Sequence, residues 1–211
     1  MTRSAEVLRI LDRYLIEVVE RYELCPWARA ARLGGELGIT IAWGTPAVED
    51  WIAAAEELLA SPAVRVAMVV APELAIAPAE LRALRDQVAA HLPQAGVADF
   101  HPVAALDLAT PARLVPFLRR APDPMLQLVP LALLAAARAT TPPPDLAGQA
   151  RLLGGHGAPP RGDVADRIAA ANHATVTRHA DQIAAALDAI AADRAAAYAH
   201  AAIRAADRER S

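Results

Sequence analysis

The chain has 211 residues, 55% of them hydrophobic, a mean hydropathy of +0.23 and a net charge of −3. This suits one domain with its own core, or one domain plus a helical appendage. It contains no lysine, which excludes a Schiff-base lysine, a P-loop lysine and a lysine general base.

Ser4 is a plausible N-cap for a helix running to about Glu23, with Leu8, Leu11, Leu15, Val18 and Tyr22 on one stripe. This start lacks the uninterrupted apolar stretch of a signal peptide. The helix is expected to end before Cys25-Pro26, because a residue preceding proline disfavours helical geometry. Cys25 is the only cysteine, so an internal disulfide is excluded and a cytoplasmic location is expected. Ala28 to Leu33 reads as a short helical turn broken by Gly34-Gly35.

Leu37 to Trp43 reads as a strand, Val48 to Ala60 as a helix, and Val64 to Ala71 as the clearest strand. Pro78 opens a helix to His91, and Val97 to Phe100 reads as a third strand. This β-α-β-α-β pattern predicts an α/β fold with a small three-stranded parallel sheet covered by helices. A ferredoxin-like antiparallel α+β sheet is the alternative. In a parallel sheet, ligands are expected at the C-terminal strand ends. Those ends are Trp43-Gly44-Thr45, Ala71-Pro72-Glu73 and Phe100-His101-Pro102.

From Pro111 the chain reads as helical, and Met125 to Arg138 as a strongly apolar helix kinked at Pro130. Residues 141–162 form a Pro/Gly-rich loop by composition. Asp163 is a fair N-cap for a long helical region from Val164 to about Arg208, interrupted near Asn172-His173. The expected organisation is a core domain over 1–140, the loop over 141–162, and a C-terminal helical region over 163–211 packing on the core. No apolar run reaches the ~20 residues of a membrane span. The arginines alternate with Asp and Glu, so neither a membrane nor a nucleic acid is an expected partner.

Cys25, in Leu24-Cys25-Pro26-Trp27, is the leading reactive candidate. A free cysteine is more often a small buried hydrophobe. As a reactive group it needs a thiolate, favoured by nearby charge such as Arg29 or Arg32. His101 reads either as a capping residue or as a general base or metal ligand. Of Arg119 and Arg120, one suits a solvated role and the other a carboxylate or phosphate. Asp123 reads first as an N-cap, second as a substrate contact. His156 lies in the Pro/Gly-rich loop, and His173 and His179 do not share a helical face. No complete metal, phosphate-loop, dinucleotide or nucleophile-elbow motif occurs.

Leu24-Cys25-Pro26-Trp27-Ala28, Phe100-His101-Pro102 and Arg120-Ala121-Pro122-Asp123-Pro124-Met125-Leu126 together resemble an uncharacterised bacterial family, domain of unknown function fourteen-fifteen. The order and spacing agree over roughly residues 5 to 180, with Asn172 and Thr175 matching a late Asn and Thr. The family pattern differs at Glu73, where it has histidine, and at Asp123 and Gln127, where it has tyrosine and histidine. The resemblance implies a site at Cys25, His101, Arg120 and Asn172, but no activity.

The sequence therefore predicts an enzyme acting on a small anionic molecule. Cys25, His101 and Arg120 would be catalytic; Arg119, Asp123 and Asn172 would contact substrate. A non-catalytic metal or haem protein using Cys25 and His101 is the alternative. A helical scaffold, paired as a homodimer through the C-terminal region, is the third reading.

Overall fold

A computed structural model describes residues 2–133 and 164–209. The Pro/Gly-rich stretch 141–162, with His156 and Asp163, lies outside the described residues.

Helix α1 spans Arg3–Tyr14. Its N-cap is Thr2 rather than Ser4; the Thr2 hydroxyl accepts the Ala5 N–H at 3.2 Å. Val7, Ile10, Leu11 and Tyr14 form its buried stripe. The chain then continues as a π-helical segment over Leu15–Glu20. It ends in a Schellman-type closure. The Glu23 N–H bonds the Glu20 carbonyl and the Leu24 N–H bonds the Val19 carbonyl. Glu23 is left-handed, with φ of 51°. This closure turns Leu24 and Cys25 back under the helix. Helix α2, Ala28–Leu33, follows and ends at Gly35, whose φ is 68°.

The remaining elements are β1 (Leu37–Ile41), α3 (Val48–Leu59), β2 (Val66–Val70), α4 (Pro78–His91), β3 (Ala95–Phe100), α5 (Pro111–Leu118) and β4 (Met125–Pro130). The fold is mixed α/β around a four-stranded sheet of order β1-β2-β4-β3. β1 and β2 are parallel, while β4 runs antiparallel to both β2 and β3. Two expectations are corrected here. The sheet has four strands in a mixed arrangement, not three parallel ones. Met125–Pro130 forms a strand, not the start of a helix, and the part of that expected helix beyond residue 133 lies outside the described residues. The three strands read from the sequence do run in one direction, but β4 lies between β2 and β3. Nor is the sheet uniformly antiparallel, as the ferredoxin-like alternative requires.

Alternation along each strand sends side chains to two helical layers. Ala67, Val69, Leu126 and Leu128 pack with Trp51 and Ala55 of α3 and Leu81 and Val88 of α4. Met68, Val70 and Met125 face α1, the π-helical segment and α5. Helix α6, Val164–Glu209, covers that same face through Val176, Ile183, Leu187 and Ile190. Its apolar stripe is thus spent on this chain's own core. Its break is at His179 (φ −121°, ψ 19°), almost two turns beyond the expected Asn172-His173. Arg9 grips Asp193 of α6 through two bonds of 2.7 and 2.8 Å, and Arg13 also bonds Asp193. Among the described residues, no helix is long and apolar enough to cross a membrane.

Candidate functional site: an apolar cavity walled by Cys25

On the face of the sheet toward α1, a cavity of about 490 Å³ opens beneath the Leu24–Ala28 turn. The register explains the space. Leu37, Val66 and Met68 form its floor from β1 and β2, and Met125, Gln127 and Val129 from β4. On β3 the same face carries Gly96, Ala98 and Phe100. The first two are too small to fill the volume above them. The π-helical segment supplies Leu15 and Val19, whose register is offset by its wider turn.

Cys25 opens onto this cavity. Burial pushes its thiol above the ordinary value, while the backbone N–H groups of Trp27 and Ala28 pull the other way. Burial dominates, so the protonated thiol is the resting form at neutral pH. Tyr14, also on the wall, is buried and its phenol is raised, first by burial and then by proximity to Cys25. Gln127 is the polar group of the floor, and among the described residues its amide has no hydrogen-bond partner. In the sequence Gln127 stands out only as a departure from the pattern of the resembling family. An amide interrupting an otherwise apolar strand was the available signal.

His101 faces elsewhere. Phe100 lines the Cys25 cavity, so the next residue projects to the opposite side. His101 lines a separate groove of about 230 Å³ at the β3 edge, between α4 and α5. Its Nδ1 accepts the Val103 N–H at 3.0 Å, so Nε2 carries the proton and donates to the Ile76 carbonyl at 2.9 Å. Both ring nitrogens are engaged in holding two loops together. Cys25 and His101 therefore do not share a cavity. Among the described residues, no cluster of three or more His, Cys, Asp or Glu is placed to hold a metal ion.

The two arginines also divide. Arg120 Nε donates to the Pro102 carbonyl at 3.1 Å and its Nη2 to Asp188 of α6 at 2.8 Å. It stitches loops and helix together. Arg119 lines both the cavity and the groove, with its Nη1 3.3 Å from Asp99. Burial lowers its pKa below the ordinary value, Asp99 opposes this, and Arg85 and Arg82 reinforce it.

Asp123 is 2% exposed and accepts Arg194 Nε at 2.6 Å and the Tyr198 hydroxyl at 2.7 Å. With no helix after it, Asp123 caps nothing; it anchors α6. Arg194 also donates to the Pro72 carbonyl at 2.8 Å. At the strand ends, Glu73 takes the Gly44 N–H at 2.9 Å and pairs with Arg3, which stacks over Trp43. The crevice expected to hold a ligand is thus filled by the protein itself. Asn172 reaches the cavity loop indirectly, its amide donating to the Leu24 carbonyl at 3.0 Å.

No family model, curated protein or solved structure matches the chain. What the cavity does is a question for its own chemistry.

Proposed function

We propose that this protein is an enzyme acting on a small amphipathic anion, held in the cavity with Cys25 as the reactive group. The observation that carries this is the convergence of Cys25, the unpartnered Gln127 amide and the Arg119 guanidinium on one largely apolar cavity of about 490 Å³. Pockets of this kind bury an apolar body and fix orientation with a few polar groups. Of the two adjacent arginines, Arg119 lines the cavity and Arg120 does not; Arg65, 3.5 Å from Glu36, lines it as well. Cys25 acts as a nucleophile or redox thiol once deprotonated, with the Trp27 and Ala28 N–H groups favouring the thiolate.

The resemblance noted in the sequence supports the same reading. Its three separated landmarks supply Leu24, Cys25 and Trp27, then Phe100, then Met125 to one cavity. We propose on this basis that the chain is a divergent member of that bacterial family, with Gln127 standing where the family carries histidine.

Decanoate is a suitable probe, with an apolar tail and one carboxylate. Because Cys25 is the only cysteine, intact mass after iodoacetamide treatment reads its accessibility directly. Decanoate is expected to slow alkylation of Cys25. Arg119→Met is expected to weaken that protection about tenfold or more, through loss of a charged hydrogen bond. Met68→Trp, which fills the floor, is expected to abolish it while far-ultraviolet circular dichroism stays unchanged. Unchanged alkylation at saturating decanoate, or equal protection in all variants, overturns the reading.

A further inference from the structure

The groove at the β3 edge has a charge imbalance that the fold does not use. Arg82 and Arg85 of α4 and Arg119 after α5 line it, with Asp99 as the lining carboxylate. Asp99 is shared, 3.3 Å from Arg119 and 3.6 Å from Arg85. Asp86 lies 2.9 Å from Arg85 Nε, but without hydrogen-bond geometry, so that buried Nε has no hydrogen-bond partner. Among the described residues, Arg82 pairs with no carboxylate. Three guanidiniums therefore face a concave space of about 230 Å³ with positive charge in excess.

Like charges held together in a half-buried groove are costly without an anion between them. His101 does not relieve the excess. Its ring bonds the Val103 N–H and the Ile76 carbonyl, and it fixes the loops that form the groove wall. The opposite wall is apolar, from Val115 and Pro116 of α5.

We propose that this groove is a second ligand site, for a small phosphate monoester. The phosphoryl group sits among Arg82, Arg85 and Arg119, and a short organic group lies on the Val115–Pro116 wall. Guanidinium forks match phosphate oxygens in pairs, and a phosphate dianion offsets the excess charge. A carboxylate carries less charge and fewer acceptor oxygens. The groove requires no Cys25 chemistry; it shares Arg119 with the cavity, while Arg82 and Arg85 line the groove alone.

Inorganic phosphate and phenyl phosphate are the probes, titrated by calorimetry against the whole chain at constant ionic strength. Binding in the range of about 1 mM or tighter is expected, with phenyl phosphate tighter than inorganic phosphate. Arg82→Gln and Arg85→Gln are each expected to weaken phosphate binding about tenfold or more. Arg82 is exposed, so its replacement leaves the fold intact even if the Arg85 variant is unstable. Decanoate protection of Cys25 should persist in Arg82→Gln, which separates this site from the cavity. Absence of phosphate binding, equal binding by Arg82→Gln, or equal displacement by chloride overturns the proposal.

Discussion

The side-chain amide of Asn172 donates to the backbone carbonyl of Leu24 at 3.0 Å, across 148 residues of sequence. Asn172 is 8% exposed, so this bond is shielded from water. It fixes the carbonyl immediately before Cys25 to the N-terminal part of α6, ahead of the break at His179. Asn172→Leu leaves that carbonyl without its partner. The expected loss is about 1–2 kcal/mol of stability in urea unfolding. Cys25 alkylation should accelerate in the same variant, because the loop above the cavity loses its tie to α6.

Asp123 gives a larger effect. Removing Arg194 leaves an almost wholly buried carboxylate with only the Tyr198 hydroxyl. Arg194→Met is expected to cost about 3–5 kcal/mol. The double variant Asp123→Leu with Arg194→Met should be closer to the parent than Arg194→Met alone, since it removes the orphaned charge as well. Urea unfolding of the three variants measures the coupling.

These anchors show what the sequence made legible. β1, β2, β3 and α4 follow from apolar runs punctuated by proline and glycine. β4 does not, because Met125, Leu126 and Leu128 are all buried, at 1%, 0% and 0% exposed. A strand buried on both faces reads as a continuous apolar run, and here it leads into more leucine and alanine. Periodicity cannot separate that from a buried helix. Cys25 stands out in the sequence because it is unique in the chain, and it lines the cavity. The separation of His101 from Cys25 was not legible, because a single residue decides which face of β3 a side chain takes. Phe100 turns to the cavity and His101 turns away. The same applies to Arg119 and Arg120, adjacent in sequence and directed to different partners.

Acid should loosen the contact between α1 and α6. Asp193 is held well below the usual carboxylate range, first by its bonds to Arg9 and then by those to Arg13. A depressed folded pKa contributes stability that is present above the unfolded value near 4 and lost as pH falls through the folded value. Asp193→Asn should therefore lower stability at neutral pH and flatten its decline below about pH 4. Urea midpoints measured across that range test the sign. The loss at neutral pH should be modest, because the pair is partly exposed and screened.

Cys25 carries the opposite sign. Its thiol is raised chiefly by burial, so its contribution to stability is present below the ordinary thiol value near 8.5 and lost as pH rises through the folded value. The alkylation rate at pH 7 should fall below that of a free thiol, and its titration should be displaced upward. A profile displaced downward would mean that the Trp27 and Ala28 N–H groups outweigh burial.

Glu23 offers a test of how the cavity loop is made. It holds φ of 51° at the position where a Schellman closure favours glycine. A side chain there costs roughly 1–2 kcal/mol in backbone strain. Glycine removes the strain but adds freedom to the unfolded chain, which offsets about 0.5–1 kcal/mol. Glu23→Gly is therefore expected to stabilise the protein by up to about 1 kcal/mol, seen as a raised urea midpoint at unchanged slope. Glu23→Val should do the reverse, since a β-branched residue tolerates this conformation poorly. If the closure is what delivers Leu24 and Cys25 to the cavity, Glu23→Gly should leave decanoate protection of Cys25 intact. Glu23→Val should weaken that protection together with stability, because the backbone relieves its strain by moving the two residues that follow.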